Sequence, residues 1–224
     1  MSWQARLALG YRRESTRTLA SDRHEGPLRV LKALYPEGPG ICHHVLVHPP
    51  GGIAGGDRLD IDIMLEADAH ALLTTPGATR FYRSAGAHAH QSVRIGLQRG
   101  ARLEWLPMAT IAYDGCLAQN RVHFTLDDDA AIVGADIVAL GLPASGEPFA
   151  RGHFTQHLQW DGHWLERGVI AAGDRLLRDS PLGLAGRPVM ATLWFASGSG
   201  MASARREALL DAAREGASAL EGSS

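Results

Sequence analysis

The sequence predicts a mainly-β fold, on three observations. Apolar residues alternate with polar ones in short runs: Leu59, Ile61, Ile63 and Leu65, then Val93, Ile95 and Leu97, then Val122, Phe124 and Leu126. Successive side chains of a strand point to opposite faces, so period two marks half-buried strands. Turn chemistry rich in Gly, Pro and Asp separates the runs. Only one stretch, Ala202 to Glu215, reads as a convincing helix, with Ser199 or Ser203 to cap it and Gly216 to end it.

In chain order, Trp3 to Leu9 reads as a first strand and the polar stretch Arg12 to Asp22 as a hairpin connection. Leu28 to Leu34 reads as another strand, closed by Tyr35-Pro36-Glu37-Gly38-Pro39-Gly40, and Cys42 to Val47 leads into a glycine-rich loop. Ala130 to Leu142 is apolar on both parities, which predicts a strand covered on both faces. Phe154 to Trp160 and Trp164 to Ile170 flank Asp161-Gly162-His163, a hairpin turn. No linker divides the 224 residues, so residues 1–224 are read as one domain. No strict repeat is visible, so alternation alone does not demand a regular solenoid.

Composition narrows the function classes. With 45% hydrophobic and 21% charged residues the chain reads as a soluble globular protein. A formal charge of -2 gives no reason to expect nucleic acid or an anionic membrane as partner. Cys42 and Cys116, far apart, make no disulfide framework, which suits a reducing cytoplasm. The N-terminus lacks a signal-peptide apolar core, and no apolar run approaches the ~20 residues of a membrane helix.

The organising motif is His48-Pro49-Pro50-Gly51-Gly52-Ile53-Ala54-Gly55-Gly56-Asp57. Pro fixes φ and Gly opens positive φ, so the segment is a specially shaped connection between strands. It is not a phosphate loop, because Asp57 stands where a Lys-Ser/Thr pair is needed and a strand follows where a helix is needed. We therefore expect Pro49, Pro50, Gly51, Gly52, Gly55, Gly56 and Asp57 to act as structure first. A second motif is Thr74-Thr75-Pro76-Gly77-Ala78-Thr79-Arg80-Phe81-Tyr82-Arg83-Ser84, and a third is Leu103-Glu104-Trp105-Leu106-Pro107, running on to Ile111-Ala112-Tyr113-Asp114-Gly115.

These three motifs in this order resemble the UreD (UreH) family of urease accessory proteins. The likeness extends into Asp136-Ile137-Val138-Ala139-Leu140-Gly141, Ser145-Gly146-Glu147-Pro148-Phe149 and Leu165-Glu166-Arg167, and so covers nearly the whole chain. It implies an irregular stack of strands wound helically, with one or two helices near the C-terminus. It implies a non-enzymatic maturation chaperone that docks on urease apoprotein, binds UreF and reaches UreG through UreF. No tightly bound cofactor is implied; Ni²⁺ is transient cargo, and Thr79, Asp114, Asp136 and Glu166 are the residues we assign to its passage. Family members usually continue through further strands and a second helix, so we expect those to be lacking here. Met108 and Ala109 replace the Gln and acidic residue usual after the third motif, which leaves Thr110 and Asp114 as the polar groups nearby.

Residue chemistry keeps other readings in view. Cys42, His43 and His48 have the softness nickel favours, and His88 and His90 project from one face if they lie in a strand. Both sets equally suit ordinary strand faces, and the 11 histidines would also suit a metal store. Asp136 and Glu166 lie in apolar segments, either paired with an Arg such as Arg80 or Arg167 or lining a wet passage. Asp60 and Asp62 read as a solvated strand face, and Asp127 to Asp129 as a turn. A hydrolytic or small-ligand-binding β-domain is the remaining alternative, weakened because Ser84, Ser145 and Ser199 lie in no GxSxG setting.

Overall fold

The computed structural model describes residues 2–221. β1 (Gln4–Glu14) turns at Ser15, where φ is 50°, into antiparallel β2 (Arg17–Glu25). The segment expected to connect a hairpin is thus mostly hairpin: polar residues fill it because its strands are wet, not because they are absent. Of the strand expected over Leu28 to Leu34, only β3 (Arg29–Val30) and an isolated bridge from Leu34 to His43 form, against β4 (Cys42–Val47).

From there the chain winds. It passes through β5 (Arg58–Leu65), β6 (His70–Thr74) and β7 (Thr79–Phe81), then β8 (Ala89–Leu97), β9 (Arg102–Leu106) and β10 (Thr110–Ala112), then β11 (Leu117–Leu126) and β12 (Ala131–Leu142). The last strands are β13 (Glu147–Pro148), β14 (His153–Trp160), β15 (Trp164–Ala171) and β16 (Val189–Ser197). Each turn gives one strand to either of two sheets. One sheet has the order β15-β14-β11-β8-β5-β1-β2; the other runs β3-β4-β6-β9-β12-β10-β7, with β13 and β16 also on β12. Ladders between successive turns are parallel, and antiparallel strands close the ends.

The register reveals the repeat. Leu59, Gln91, Asn120 and Gln156 are lateral neighbours, as are Cys42, Ala71, Leu103 and Ile132. The inner faces of the two sheets enclose one core: Leu7, Ile61, Val93, Val122 and Leu158 stack across the first, and Cys42, Ala71, Leu103 and Ile132 across the second. At one end Trp160, Trp164 and Trp194 gather round Phe124, whose ring stacks on Trp194 at 4.8 Å.

The three motifs occupy one corner of three successive turns. β16 takes one edge of β12 from Ala131 to Ala139, so β9 and β10 share the other edge, with a break at Pro107-Met108-Ala109. β6 and β7 repeat that arrangement with a break at Thr75-Pro76-Gly77-Ala78. β4 ends at the His48-Pro49-Pro50 bend, and Ile53 then bridges to Phe81. Proline cannot donate to a ladder, so these positions interrupt the strands. On the fourth turn β12 runs through unbroken, and Ala135-Asp136-Ile137 lies beside the breaks.

α1 (Arg175–Asp179) is capped by Asp174, whose carboxylate accepts from the Leu177 N–H at 3.0 Å. α2 (Ser203–Glu221) begins near the expected point but runs past Gly216, which therefore does not end it. An interior Gly costs a helix only about 1 kcal/mol relative to Ala, which does not stop it. Ser199 is no cap: its hydroxyl accepts from the Asp129 N–H at 2.9 Å.

Candidate functional site

A row of polar side chains crosses the interior between the sheets. Gln91, Asn120 and Gln156 occupy the same register position on β8, β11 and β14. The Gln91 amide donates to Asn120 at 3.1 Å, the Asn120 amide donates to Gln156 at 3.4 Å, and the Gln156 amide donates to the Asp136 carboxylate. Asp136 faces Thr192 in register, and the Thr192 hydroxyl donates to Glu166 at 3.4 Å. Asn120 and Gln156 are buried, whereas Asp136 and Glu166 are half-buried.

Space accompanies the row. A cavity of about 280 Å³ lies under the motif corner, walled by His48, Gly51, Gly52, Thr75, Gly77 and Arg80 among others. A second, of about 20 Å³, is walled by Asn120, Thr110 and Asp136. Thr79, Gln91, Trp105 and Pro107 wall both. The smaller space admits about one water molecule.

The carboxylates respond to this setting. Burial pushes Asp136 up to about 6; the negative Glu166 adds to the rise, and the hydrogen bond from Gln156 opposes it. Neither Arg80 nor Arg167 pairs with these acids, so the dry ion pair weighed from sequence does not form. Their partners are an amide and a hydroxyl.

Asp114 belongs to a different cluster. Its carboxylate accepts from the backbone N–H groups of Ala150 and Arg151 at 3.1 and 2.8 Å and pairs with Arg83 and Arg151. The Arg151 hydrogen bond holds its carboxyl below the usual range. It ties two loops together and does not wall either cavity.

Cys42, His43 and His48 do not converge. Neighbours in a strand point to opposite faces, so buried Cys42 turns inward and His43 outward, where it bonds Glu37 at 2.8 Å. Burial raises the Cys42 thiol, with a hydrogen bond to Tyr35 opposing the rise. A protonated thiol is a poor metal ligand. His48 alone of the three walls the large cavity; burial lowers its pKa, and its buried Nε2 has no hydrogen-bond partner. Among the described residues no group of three or more His, Cys, Asp and Glu side chains is arranged to hold a metal ion.

The glycine loop has the expected build. Gly51 and Gly56 hold φ of 80° and 94°. A Cβ on Gly52 would lie 2.1 Å from the Tyr82 ring, and one on Gly55 would lie 2.8 Å from the Ala87 carbonyl oxygen. Buried Asp57 accepts from the Trp3 and Ala54 N–H groups at 2.6 and 2.8 Å, so the carboxylate fastens the loop to the chain's start. Asp60, expected to be solvated, is 7% exposed and bonded to Arg58.

Sequence reasoning missed Gln91, Asn120, Gln156 and Thr192. A signal was present: each amide has the parity of the inward apolar residues, such as Val93, Val122 and Leu158. A polar side chain at a core position is the informative exception.

Comparison with known proteins places the chain. The family model described as UreD urease accessory protein matches residues 4–223. The chain is 57% identical over 215 residues to the urease accessory protein UreD of Polaromonas naphthalenivorans (strain CJ2), covering 96% of this chain and 78% of the relative. It is 56% identical over 216 residues to UreD of Leptothrix cholodnii, with the same coverage. It is 52% identical over 241 residues to UreD of Methylibium petroleiphilum, covering 99% of this chain and 81% of the relative. The chain belongs to the UreD family of urease accessory proteins.

Proposed function

We propose that this protein is a non-catalytic maturation factor that conducts Ni²⁺ through its interior to urease apoprotein, working with UreF and, through UreF, with UreG. The observation that carries this reading is the hydrogen-bonded row Gln91-Asn120-Gln156-Asp136 beside the adjoining cavities, with Glu166 beyond it and no Arg among the described residues paired with either carboxylate.

Amide oxygens and hydroxyls are hard, neutral ligands that replace a few waters of a divalent cation without holding it tightly. Asp136 and Glu166 supply negative charge where desolvation costs most. Thiolates would trap nickel, which stands high in the divalent affinity series. The row itself contains none. Amides also make poor acids and bases, so the row suits passage better than turnover.

The join between the cavities is the place to test it. Thr79→Leu fills space that Thr79 walls on both sides. With urease apoprotein, UreF and UreG co-expressed, this variant should still be recovered with urease in a pull-down while nickel per urease falls several-fold. Wild-type loading at full expression would reject passage through this join.

A further inference from the structure

His88, His90 and His153 come together outside the passage. The His88 and His153 rings lie 5.1 Å apart between centroids and are tilted by 49°, and the His90 ring lies 6.0 Å from His88. The sequence offered only His88 and His90. His153 joins them because β14 runs two strands away from β8 in the same sheet.

The ring nitrogens of His88 and His153 have no hydrogen-bond partner among the described residues. His24, His43, His70 and His123 pair with carboxylates. His44, His90, His157 and His163 bond Tyr11, Gln119, Gln159 and the Asp161 carbonyl. Among the described residues only half-buried His48 shares their freedom, and it stands alone. Both backbones are pinned: the His88 carbonyl accepts from the Gly56 N–H at 3.0 Å, and the His153 N–H donates to the Cys116 carbonyl at 2.9 Å.

We propose that His88 and His153 form a bis-imidazole site for a borderline divalent d-block cation, completed by water. Two imidazoles bound at ~2.0–2.1 Å to one ion place their ring centroids about 5 Å apart. Imidazole selects nickel, copper and zinc over magnesium and calcium. Two ligands make a labile site, able to receive and release an ion. Cys116 is not a ligand here, since it is buried and its Sγ faces the His153 carbonyl at 3.7 Å. The site is independent of the interior passage and is tested without urease.

The test titrates NiSO₄ alone into the full chain, followed by calorimetry and by paramagnetic broadening of histidine ring protons. We expect micromolar binding at one dominant site, with the His88 and His153 resonances broadened first. His88→Ala and His153→Ala should each weaken binding at least ten-fold, and His90→Ala less than three-fold. First broadening at any other histidine, or wild-type affinity in His88→Ala, would overturn the proposal. His88 is exposed, so His88→Ala decides the matter even if His153→Ala fails to fold.

Discussion

Asp136 is a carboxylate whose folded environment favours its proton. Its carboxyl is raised from an ordinary value of 3.8 to about 6, so the folded state holds the proton over a pH range where the unfolded chain has lost it. Stability therefore falls as pH rises from about 4 through about 6, and the full cost is present at neutral pH. Asp136→Asn keeps an acceptor for Gln156 and removes that cost. In urea denaturation it should be more stable than wild type by about 2–3 kcal/mol at pH 7.5, with the difference vanishing below about pH 4. A pH-independent difference would show that the fold does not hold the proton on Asp136. The glycine loop makes the opposite prediction. Gly56→Val forces a β-branched residue to positive φ, and Gly55→Val meets a backbone carbonyl. Each should cost about 1–3 kcal/mol, read as a drop in melting temperature. Melting at the wild-type temperature in both would show that the loop relaxes freely.

At the scale of elements, strands were legible where they alternate and obscure where they do not. β5, β8 and β11 follow the period-two runs, because one face of each meets the core, and β14 and β15 flank the expected hairpin turn. β12 was legible as a strand, but its buried residues are mostly alternate ones and the rest are half-buried, so one face is less covered than the apolar run suggested. β7 and β10 were not, since three residues carry no period; they are set by the proline breaks that precede them. α1 is also too short to register. The end of α2 was misjudged because Gly216 was weighed as a stop, whereas an interior Gly costs only about 1 kcal/mol relative to Ala. All described side chains of α2 are exposed, Leu209 and Leu210 at 41% and 46%. Ending the chain after Met201 should therefore shift the melting temperature by less than about 2 °C in scanning calorimetry. A larger loss would mean that α2 packs on the sheets in solution.

At the scale of the molecule, the winding was hidden although its parts were visible. Lateral neighbours recur at positions 59, 91, 120 and 156, an uneven interval, and no one residue type fills them: Leu, Gln, Asn and Gln. Register repeats here without sequence repeating, so the helical stack came from family likeness and not from periodicity. Of the residues assigned to the proposed passage, Asp136, Glu166 and Thr79 lie along the polar row or the cavities beside it, whereas Asp114 lies in a loop-tying cluster; the amides surfaced only once the turns were stacked. The central claim is that these carboxylates ease a cation across the interior. Removing carboxylates from a wet passage leaves assembly intact, because no partner charge is stranded; removing them from a dry ion pair costs roughly 3–5 kcal/mol. The most direct measurement is nickel per urease active site after co-expression of urease, UreF and UreG with the Asp136→Ala/Glu166→Ala double variant. The account predicts a folded protein, an accessory complex recovered in wild-type amount, and urease with markedly less nickel. Full nickel loading by that variant would contradict it.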